Sequence, residues 1–458
     1  MHNIFHKVHF VGIGGIGMSG LARLCAFKDI PFSGSTLDGR LDLLEDLKQH
    51  GGKIYFSHSP DHLSDDTSCL VYSSAIAKDN PEIEKALRLG IPVLHRSKFL
   101  ELLLKDYQVI AISGTHGKTT TTALLGYVLD QAGLDPLIIA GGVMPYYGSN
   151  VRLSHGPWAV VEADESDGSF LNFDTLHTAV VTNIEPEHMT FFRSVERLKQ
   201  SFQEFLEKAN TFRVIWGRDP VLSSLCTHLS VLTYGQGQGF DISAENVQAQ
   251  SEGLMFDVLD GDKKIPSIFL NLKGSHNVDN ALAVFTVART LNIDITIIQK
   301  AFAEFSGIFR RLTVTGHFNE ISVIDDYAHH PTEIQAVISA LKHHQKGKVI
   351  AICQPHRYSR LKDLMEDFSK SLQRADEVIL LPVYGAGEEP IPGIHSEVLK
   401  EKLAFHHKNV FSLPCWKLGI DRLCELLRSI TQPGDVIVCC GAGDITQLAY
   451  LLPNALSL

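Results

Sequence analysis

The sequence predicts an α/β protein of three domains: a Rossmann-like N-terminal domain, a central domain on a mixed sheet and a Rossmann-like C-terminal domain. Three observations predict it. The apolar run Lys7-Val-His-Phe-Val-Gly-Ile13 ends in a glycine turn and leads into a helical stretch, and Val109-Ile-Ala-Ile-Ser113 begins the same pattern anew. Alternating β and α units build parallel sheets covered by helices. From Ile321 onward the alternation runs a third time, and 458 residues at roughly 100–200 per domain give about three domains.

In the first segment a helix is expected around Leu21–Phe27, with short strands at Ile30–Ser33, Lys53–Phe56, Cys69–Ser73 and Ile91–Leu94. In the second, the apolar strands Trp158–Val161 and Thr178–Thr182 follow the glycine turn. Between Val231 and Leu272, short β-prone runs are separated by Gly235-Gln-Gly-Gln-Gly239, Ser-Glu-Gly and Asp-Gly-Asp. That texture predicts an antiparallel portion, closed by a helix from about Asn277 to Leu291. The third segment has strands expected at Ile321–Ile324, Lys348–Cys353, Glu377–Leu381 and Asp435–Cys440. Boundaries fall near Asp106 and Phe309, giving domains 1–106, 107–309 and 310–458.

Composition narrows the function classes. The formal charge of −11 argues against general nucleic-acid or anionic-membrane binding. Eight scattered cysteines form no C-x-x-C pair, and Cys439–Cys440 are adjacent. They predict reduced, mostly buried thiols and a cytoplasmic protein. Lys7 followed by the apolar stretch Val8 to Ala22 mimics a signal peptide, but its glycines suit a turn. No uncharged apolar run is long enough to span a bilayer.

The strongest chemical signal is Gly114-Thr-His-Gly-Lys-Thr-Thr-Thr-Thr122, between a strand and a helix. A glycine-rich turn gathers backbone N–H groups at one spot, and the helix that follows adds the positive end of its dipole. This marks the central domain as P-loop ATPase-type. Gly114, Thr115, His116, Gly117, Lys118, Thr119 and Thr120 are the candidate ATP-binding residues. Lys118 would neutralise β/γ-phosphate charge, and the Thr119 hydroxyl would coordinate Mg2+. The spacing is G-x-x-G-K-T, with Ile112 where the longer motif has its first glycine. Val160-Val-Glu-Ala-Asp-Glu-Ser-Asp-Gly168 places four carboxylates after a strand, where ligand sites of open α/β sheets lie. Glu162 is the preferred metal ligand, while Asp164, Glu165 and Asp167 are each expected to be solvated loop acids. Asn183-Ile-Glu-Pro-Glu-His188 follows the next strand, and His188 is a candidate second metal ligand or substrate-orienting group.

The loop Gly12-Ile-Gly-Gly-Ile-Gly17 by itself reads as a dinucleotide fingerprint. That fingerprint wants an acid at the end of the second strand, about twenty residues on. Here the strand ends in Gly34-Ser-Thr36 and Asp38 comes two residues late, which weakens an NAD or FAD reading.

Together, G-T-H-G-K-T-T-T-T, V-E-A-D-E-S-D-G-S-F-L, N-I-E-P-E-H, Gly274-Ser-His-Asn-Val-Asp-Asn280 and Asp326-Tyr-Ala-His-His-Pro-Thr-Glu333 resemble the Mur ligases of peptidoglycan assembly. So do His9 to Gly20, Ser73-Ser-Ala-Ile76, Gln354-Pro-His-Arg-Tyr358 and Gly441-Ala-Gly-Asp444, and the match reaches from Val8 to about Ile445. The resemblance implies ATP-dependent ligation of L-alanine to the carboxylate of UDP-N-acetylmuramate through an acyl phosphate. Gly12, Gly14, Gly15, Gly17, Ser73 and Ser74 would then bind the UDP-sugar. His276, Asn277, Asn280 and Tyr327 would lie by the nucleotide. Arg310 would approach the γ-phosphate, and His329 the amino acid. The implied partners are ATP, Mg2+, UDP-N-acetylmuramate and L-alanine, with no nucleic acid and no membrane insertion, in a monomer or homodimer. Ligands drawn from three domains imply closure around the substrate.

Two departures from the family pattern stand out. Thr36 replaces the usual aspartate, and Met189-Thr-Phe-Phe-Arg-Ser194 lacks the usual acidic and glycine residues. No carbamylated-lysine role is assigned to Lys199, so one metal site is better supported than a second. Lys118, His188, Arg310 and His329 are the catalytic candidates, with His188 and His329 both open as acceptor of the amine proton. His329-His330 also suits a cap on the helix from Pro331. Alternatives are a ligase recycling murein tripeptide onto the same sugar nucleotide, the more distant folylpolyglutamate synthetases, an NAD/FAD oxidoreductase and a non-catalytic nucleotide-binding regulator.

Overall fold

The computed structural model describes residues 5–37, 41–77, 79–344, 347–413, 416–417 and 419–457. Asp38 and Cys415, both weighed in the sequence reading, lie outside them. The chain is α/β, and its sheets are parallel or mixed. It forms two compact units. One comprises Met1–Ala244, Leu259–Lys264 and Asp279–Phe302; the other comprises Glu245–Val258, Ile265–Val278 and Ala303–Leu458.

The first unit opens with β1 (Val8–Val11), α1 (Ile16–Phe27), β2 (Phe32–Ser35), α2 (Leu41–Gln49), β3 (Lys53–Tyr55), β4 (Cys69–Tyr72), α3 (Pro81–Arg88), β5 (Val93–His95) and α4 (Arg96–Leu103). The strands form one sheet in the order β3-β2-β1-β4-β5, all parallel. β1 is buried along its whole length, as a central parallel strand covered on both faces requires.

Then come β6 (Gln108–Ser113), α5 (Lys118–Gln131), β7 (Leu137–Met144), β8 (Ser149–Arg152), β9 (Trp158–Glu162), β10 (Leu176–Val181), α6 (Met189–Phe192), α7 (Val195–Glu207), β11 (Ala209–Trp216), α8 (Pro220–Leu225), β12 (Leu232–Gln236) and β13 (Ile242–Ala249). These strands run in the order β13-β12-β11-β10-β6-β9-β7-β8. The sheet is mixed, since β8 pairs antiparallel with β7. The first two sheets share a continuous apolar cluster, in which Phe10, Leu24 and Phe99 join Val161, Phe170 and Phe202. Gly20 lets α1 close on β8: a Cβ there would stand 2.8 Å from Val151.

The expected antiparallel portion is corrected at its start. β12 and β13 pair in parallel, Tyr234 opposite Ile242. Gly237 and Gly239, in the connection between these strands, take φ of +94° and +96°, which only glycine adopts without strain. β14 (Leu254–Asp260), β15 (Lys263–Leu270), α9 (His276–Thr290) and α10 (Ile295–Glu304) follow.

The second unit holds β16 (Thr313–Phe318), β17 (Ile321–Asp326), β18 (Val349–Cys353), β19 (Glu377–Leu380), β20 (Val410–Ser412) and β21 (Val436–Cys440), in the order β16-β17-β21-β18-β19-β20. Only β16 runs antiparallel. Separate apolar clusters, one around Phe368 and one around Leu423, are drawn from alternate residues of the same strands. α11 (Pro331–His344) follows β17. The seven described cysteines are free and buried. Among the described residues, no helix is long and apolar enough to cross a membrane.

One buried cluster bears on stability. The Glu82 carboxylate, at the start of α3, is fully buried and accepts from Ser35 Oγ at 2.5 Å. His62, His58 and His9 surround it at 3.0, 3.4 and 3.7 Å. Burial pushes this carboxyl up, but His9 and Ser35 outweigh it and hold it down at about 2. A depressed carboxyl contributes stability that is present above its ordinary value, here 4.5, and lost as pH falls through about 2. Glu82→Gln should therefore melt a few degrees lower at neutral pH, as loss of a buried charged hydrogen bond worth about 1.5–3 kcal/mol implies. The gap should narrow as pH falls below 4.5. Equal melting temperatures at pH 7 would show that the cluster does not stabilise the domain.

Candidate active site

The chain leaves β6 at Ser113 and enters α5 at Lys118, so the phosphate loop sits at the carboxyl end of a central strand. Gly114 and Gly117 take φ of +133° and +83°. A Cβ on Gly114 would overlap Thr182, and one on Gly117 would overlap the Asn280 side chain. Glycine is thus required twice, by conformation and by space.

The loop is fastened from the next strand end. His116 N–H donates to Asn183 Oδ1 (2.8 Å), and Asn183 Nδ2 donates back to the His116 carbonyl (3.1 Å). Thr182 Oγ1 donates to the same carbonyl (2.5 Å), and Glu185 N–H donates to Thr115 Oγ1 (2.8 Å). Thr121 Oγ1 donates to Asn280 Oδ1 (3.3 Å), which ties the start of α5 to α9. Asn183 and Thr182 therefore shape the loop, a role that the sequence reading did not give them.

Lys118 Nζ donates to the Gly114 and Thr115 carbonyls (2.5 and 3.1 Å) and lies 3.0 and 2.9 Å from the two Glu165 oxygens. Burial works against its ammonium, yet Glu165, Asp164 and Glu162 together raise it above its ordinary range. Glu165 was expected in solvent and is instead 2% exposed. Burial pushes its carboxyl up to about 7 against the pull of Lys118. The other two acids stay partly exposed but are paired: Asp164 with Arg96 (2.9 Å), while Asp167 lies 3.5 Å from His95 and accepts from Ser74. The signal was present in the cluster of four acids, but which one turns inward depends on the loop after β9.

Thr119 Oγ1 donates to Glu162 Oε1 (3.0 Å), and the Gly141 N–H holds Oε2 (2.6 Å). A hydroxyl and a carboxylate side by side are hard oxygen donors, the set that suits Mg2+. His188, at φ +56°, lies 3.8 Å from Glu165 and 3.7 Å from Glu187. The altered segment after it forms the short helix α6, and Phe191 covers Gly168.

In the N-terminal sheet, Gly12 has φ +83°, and Gly15 donates to its carbonyl (3.2 Å) before capping α1. Gly15 and Gly17 are exposed and Gly14 half-buried, and a Cβ on Gly12 would stand 4.0 Å from Ser73 Oγ. The loop before α1 thus has the glycine-lined form that a diphosphate needs.

In the second unit, Arg310 takes φ +64° and stacks on Tyr327 at 4.8 Å. Its Nη2 donates to the Gly441 carbonyl (2.6 Å), and Nε lies 3.6 Å from Asp325. His329 Nδ1 is 3.0 Å from the Tyr327 carbonyl. The capping expectation holds for its neighbour: His330 Nδ1 accepts from Thr332 N–H (3.3 Å) at the start of α11. Gln354 Nε2 binds Asp444 (2.7 Å), joining two of the motifs. His356 stacks with Tyr384, and burial, with His329 and three arginines nearby, holds its ring down to about 3. Asn277 Nδ2 donates to the Lys273 carbonyl (2.8 Å) at the start of α9.

Comparison with known proteins agrees along the whole chain. Family models match in order: the Mur ligase family catalytic domain at 7–108, the Mur ligase middle domain at 112–288, and the Mur ligase glutamate ligase domain at 310–443. The UDP-N-acetylmuramate–L-alanine ligases of Bradyrhizobium diazoefficiens and Chelativorans sp. are each 41% identical, covering 98% of this chain and 97% and 98% of theirs. The solved UDP-N-acetylmuramate–alanine ligase of Thermotoga maritima superposes with a TM-score of 0.83 at 30% identity, covering 98% of both chains. A murein peptide ligase from Psychrobacter arcticus shares the fold, with a TM-score of 0.70 at 24% identity and 99% coverage of both chains.

Proposed function

The chain belongs to the Mur ligase family, and on that premise we infer that it joins L-alanine to the carboxylate of UDP-N-acetylmuramate, driven by ATP, in peptidoglycan precursor synthesis. The observation that carries this reading is the phosphate loop itself. Lys118 and Thr119 stand against Glu165 and Glu162 at the carboxyl end of the central sheet, in a chain aligned end to end with alanine ligases.

A carboxylate is a poor electrophile, and its oxide a poor leaving group. Moving the γ-phosphoryl group of ATP onto the carboxylate creates an acyl phosphate. The amine of L-alanine attacks its carbonyl carbon, and the tetrahedral oxyanion collapses with loss of phosphate. Positioning and charge neutralisation carry most of the rate in such chemistry. Gly114 to Thr120 cradle the phosphates, Lys118 neutralises them, and Arg310 adds a second cation to the transferring group. Thr119 and Glu162 would hold Mg2+, with His188 as a further ligand or orienting group. When bound, the metal supplies charge neutralisation at the phosphates. His276, Asn277, Asn280 and Tyr327 are assigned to the nucleotide. Gly12, Gly14, Gly15, Gly17, Ser73 and Ser74 are assigned to the UDP-sugar.

Of the two histidines open as proton acceptor, His329 has its tautomer set. With Nδ1–H donated to the Tyr327 carbonyl, Nε2 is the basic nitrogen of the neutral ring. We divide the chain at residues 106 and 309 on this reading. We place the reaction in the cytoplasm, where ATP is at hand and free thiols such as these persist.

The test is phosphate release with ATP, Mg2+ and UDP-N-acetylmuramate, with and without L-alanine. Release that requires both acceptor and L-alanine is expected. Release that ignores L-alanine but appears with murein tripeptide would move the enzyme to the recycling branch. No release with either would refute a ligase.

A further inference from the structure

Arg96 opens α4 directly after β5, and its guanidinium has neighbours on two sides. Nη2 donates to Asp164 Oδ2 at 2.9 Å. Nη1 lies 3.4 Å from where a Cβ on Gly17 would stand, in the first turn of α1. Neighbouring contacts hold the acidic loop to the same domain: His95 lies 3.5 Å from Asp167, and Ser74 donates to Asp167. Asp164 in turn precedes Glu165, the partner of Lys118.

We propose that Arg96 is a shared cation, for which Asp164 and the diphosphate of a sugar nucleotide bound at the α1 loop compete, so that it both binds that substrate and positions the acidic loop beside Lys118. The proposal rests on the reading of the α1 loop as the UDP-sugar site. A planar guanidinium offers five N–H donors and can turn from one anion to another without moving its helix. A nucleotide diphosphate carries more charge than Asp164 and arrives beside Nη1, so the exchange is favourable once the site fills. Sharing also links the two sites, because the charge balance around Glu165 and Lys118 depends on whether Asp164 keeps its partner.

Competition has a signature that a merely structural ion pair lacks: its two partners act with opposite sign. Calorimetric titration with UDP-N-acetylmuramate, and separately with UDP, without ATP, measures it directly. Arg96→Ala should weaken both ligands by about tenfold, as expected for loss of a charged hydrogen bond to phosphate. Asp164→Asn should tighten both by roughly threefold, since a neutral amide competes less for the guanidinium. In the Arg96→Ala background, Asp164→Asn should have no effect. A gain in affinity cannot come from misfolding, so the second variant protects the test. Weaker or unchanged binding in Asp164→Asn, with a normally binding wild type, would overturn the sharing of Arg96. A wild type that binds neither ligand would instead refute the sugar-nucleotide reading of the loop.

Discussion

Lys118→Ala is expected to lower kcat by about 10²–10³-fold or more, the usual loss when one preorganised charge-stabilising contact is removed. The structure adds a second effect. Lys118 is the cation beside Glu165, whose oxygens lie 2.9 and 3.0 Å from Nζ in a buried setting. Removing one member of such a pair commonly costs about 3–5 kcal/mol, because the other charge is left uncompensated. Glu165 has a way out, since burial already pushes its carboxyl up to about 7 and protonation removes the charge. A carboxyl raised above its unfolded value keeps its stability at low pH and loses it as pH rises through the folded value. The melting temperature of Lys118→Ala should therefore trail the wild type more at pH 8 than at pH 6. Turnover close to wild type would remove Lys118 from the phosphate site, and a gap independent of pH would separate Glu165 from Lys118.

Gly117→Ala should be nearly as damaging, for a geometric reason. At φ +83° an L-residue is strained by roughly 1–2 kcal/mol. The new methyl group would also meet Asn280, which accepts from Thr121 and steadies α9 against the loop. The loop must shift, and with it the N–H groups that take the phosphates. A rise in KM for ATP of about 10–100-fold, the factor that roughly 1.4–2.8 kcal/mol of lost binding represents, is expected. Gly117→Ala combined with Asn280→Ala tests the division of that effect. Because Asn280 is itself assigned to the nucleotide, the reference is Asn280→Ala alone; in that background the overlap is relieved and the φ strain remains, so adding Gly117→Ala should raise KM by less than it does in the wild type. No further rise in KM in the Asn280→Ala background would assign the whole effect to the overlap, and an unchanged KM in Gly117→Ala alone would show that the loop tolerates a side chain.

Local pattern in the chain determined much of this. A strand running into G-T-H-G-K-T and a helix has one inexpensive way to fold, so the phosphate loop was legible residue by residue. Apolar segments marked the central strands of the sheets, such as β1, β6, β9, β18 and β21, within a residue or two, because burial on both faces of a parallel sheet demands continuous apolar runs, while β7, β8, β11, β16 and β20 were not marked. Thr119 and Glu162 were each read as metal ligands, and they meet because the first turn of α5 and the end of β9 lie at the same edge of one sheet.

The tertiary structure alone decided which acids face inward. Asp164, Glu165 and Asp167 are the same kind of residue within four positions, and no period separates them. The 3D path after β9 buries Glu165 against Lys118, brings Asp164 to Arg96 and leaves Asp167 beside His95. Arg96 was invisible for the same reason: its partners lie in α1 and in a loop 68 positions along the chain. The direction of β13 was missed because short β-prone runs with glycines suit either pairing, and the register of Tyr234 opposite Ile242 in a parallel pair exists only in the folded chain. Sequence spacing fixes what is near in the chain, while the charge on a buried group is set by neighbours that only folding brings within a few ångströms.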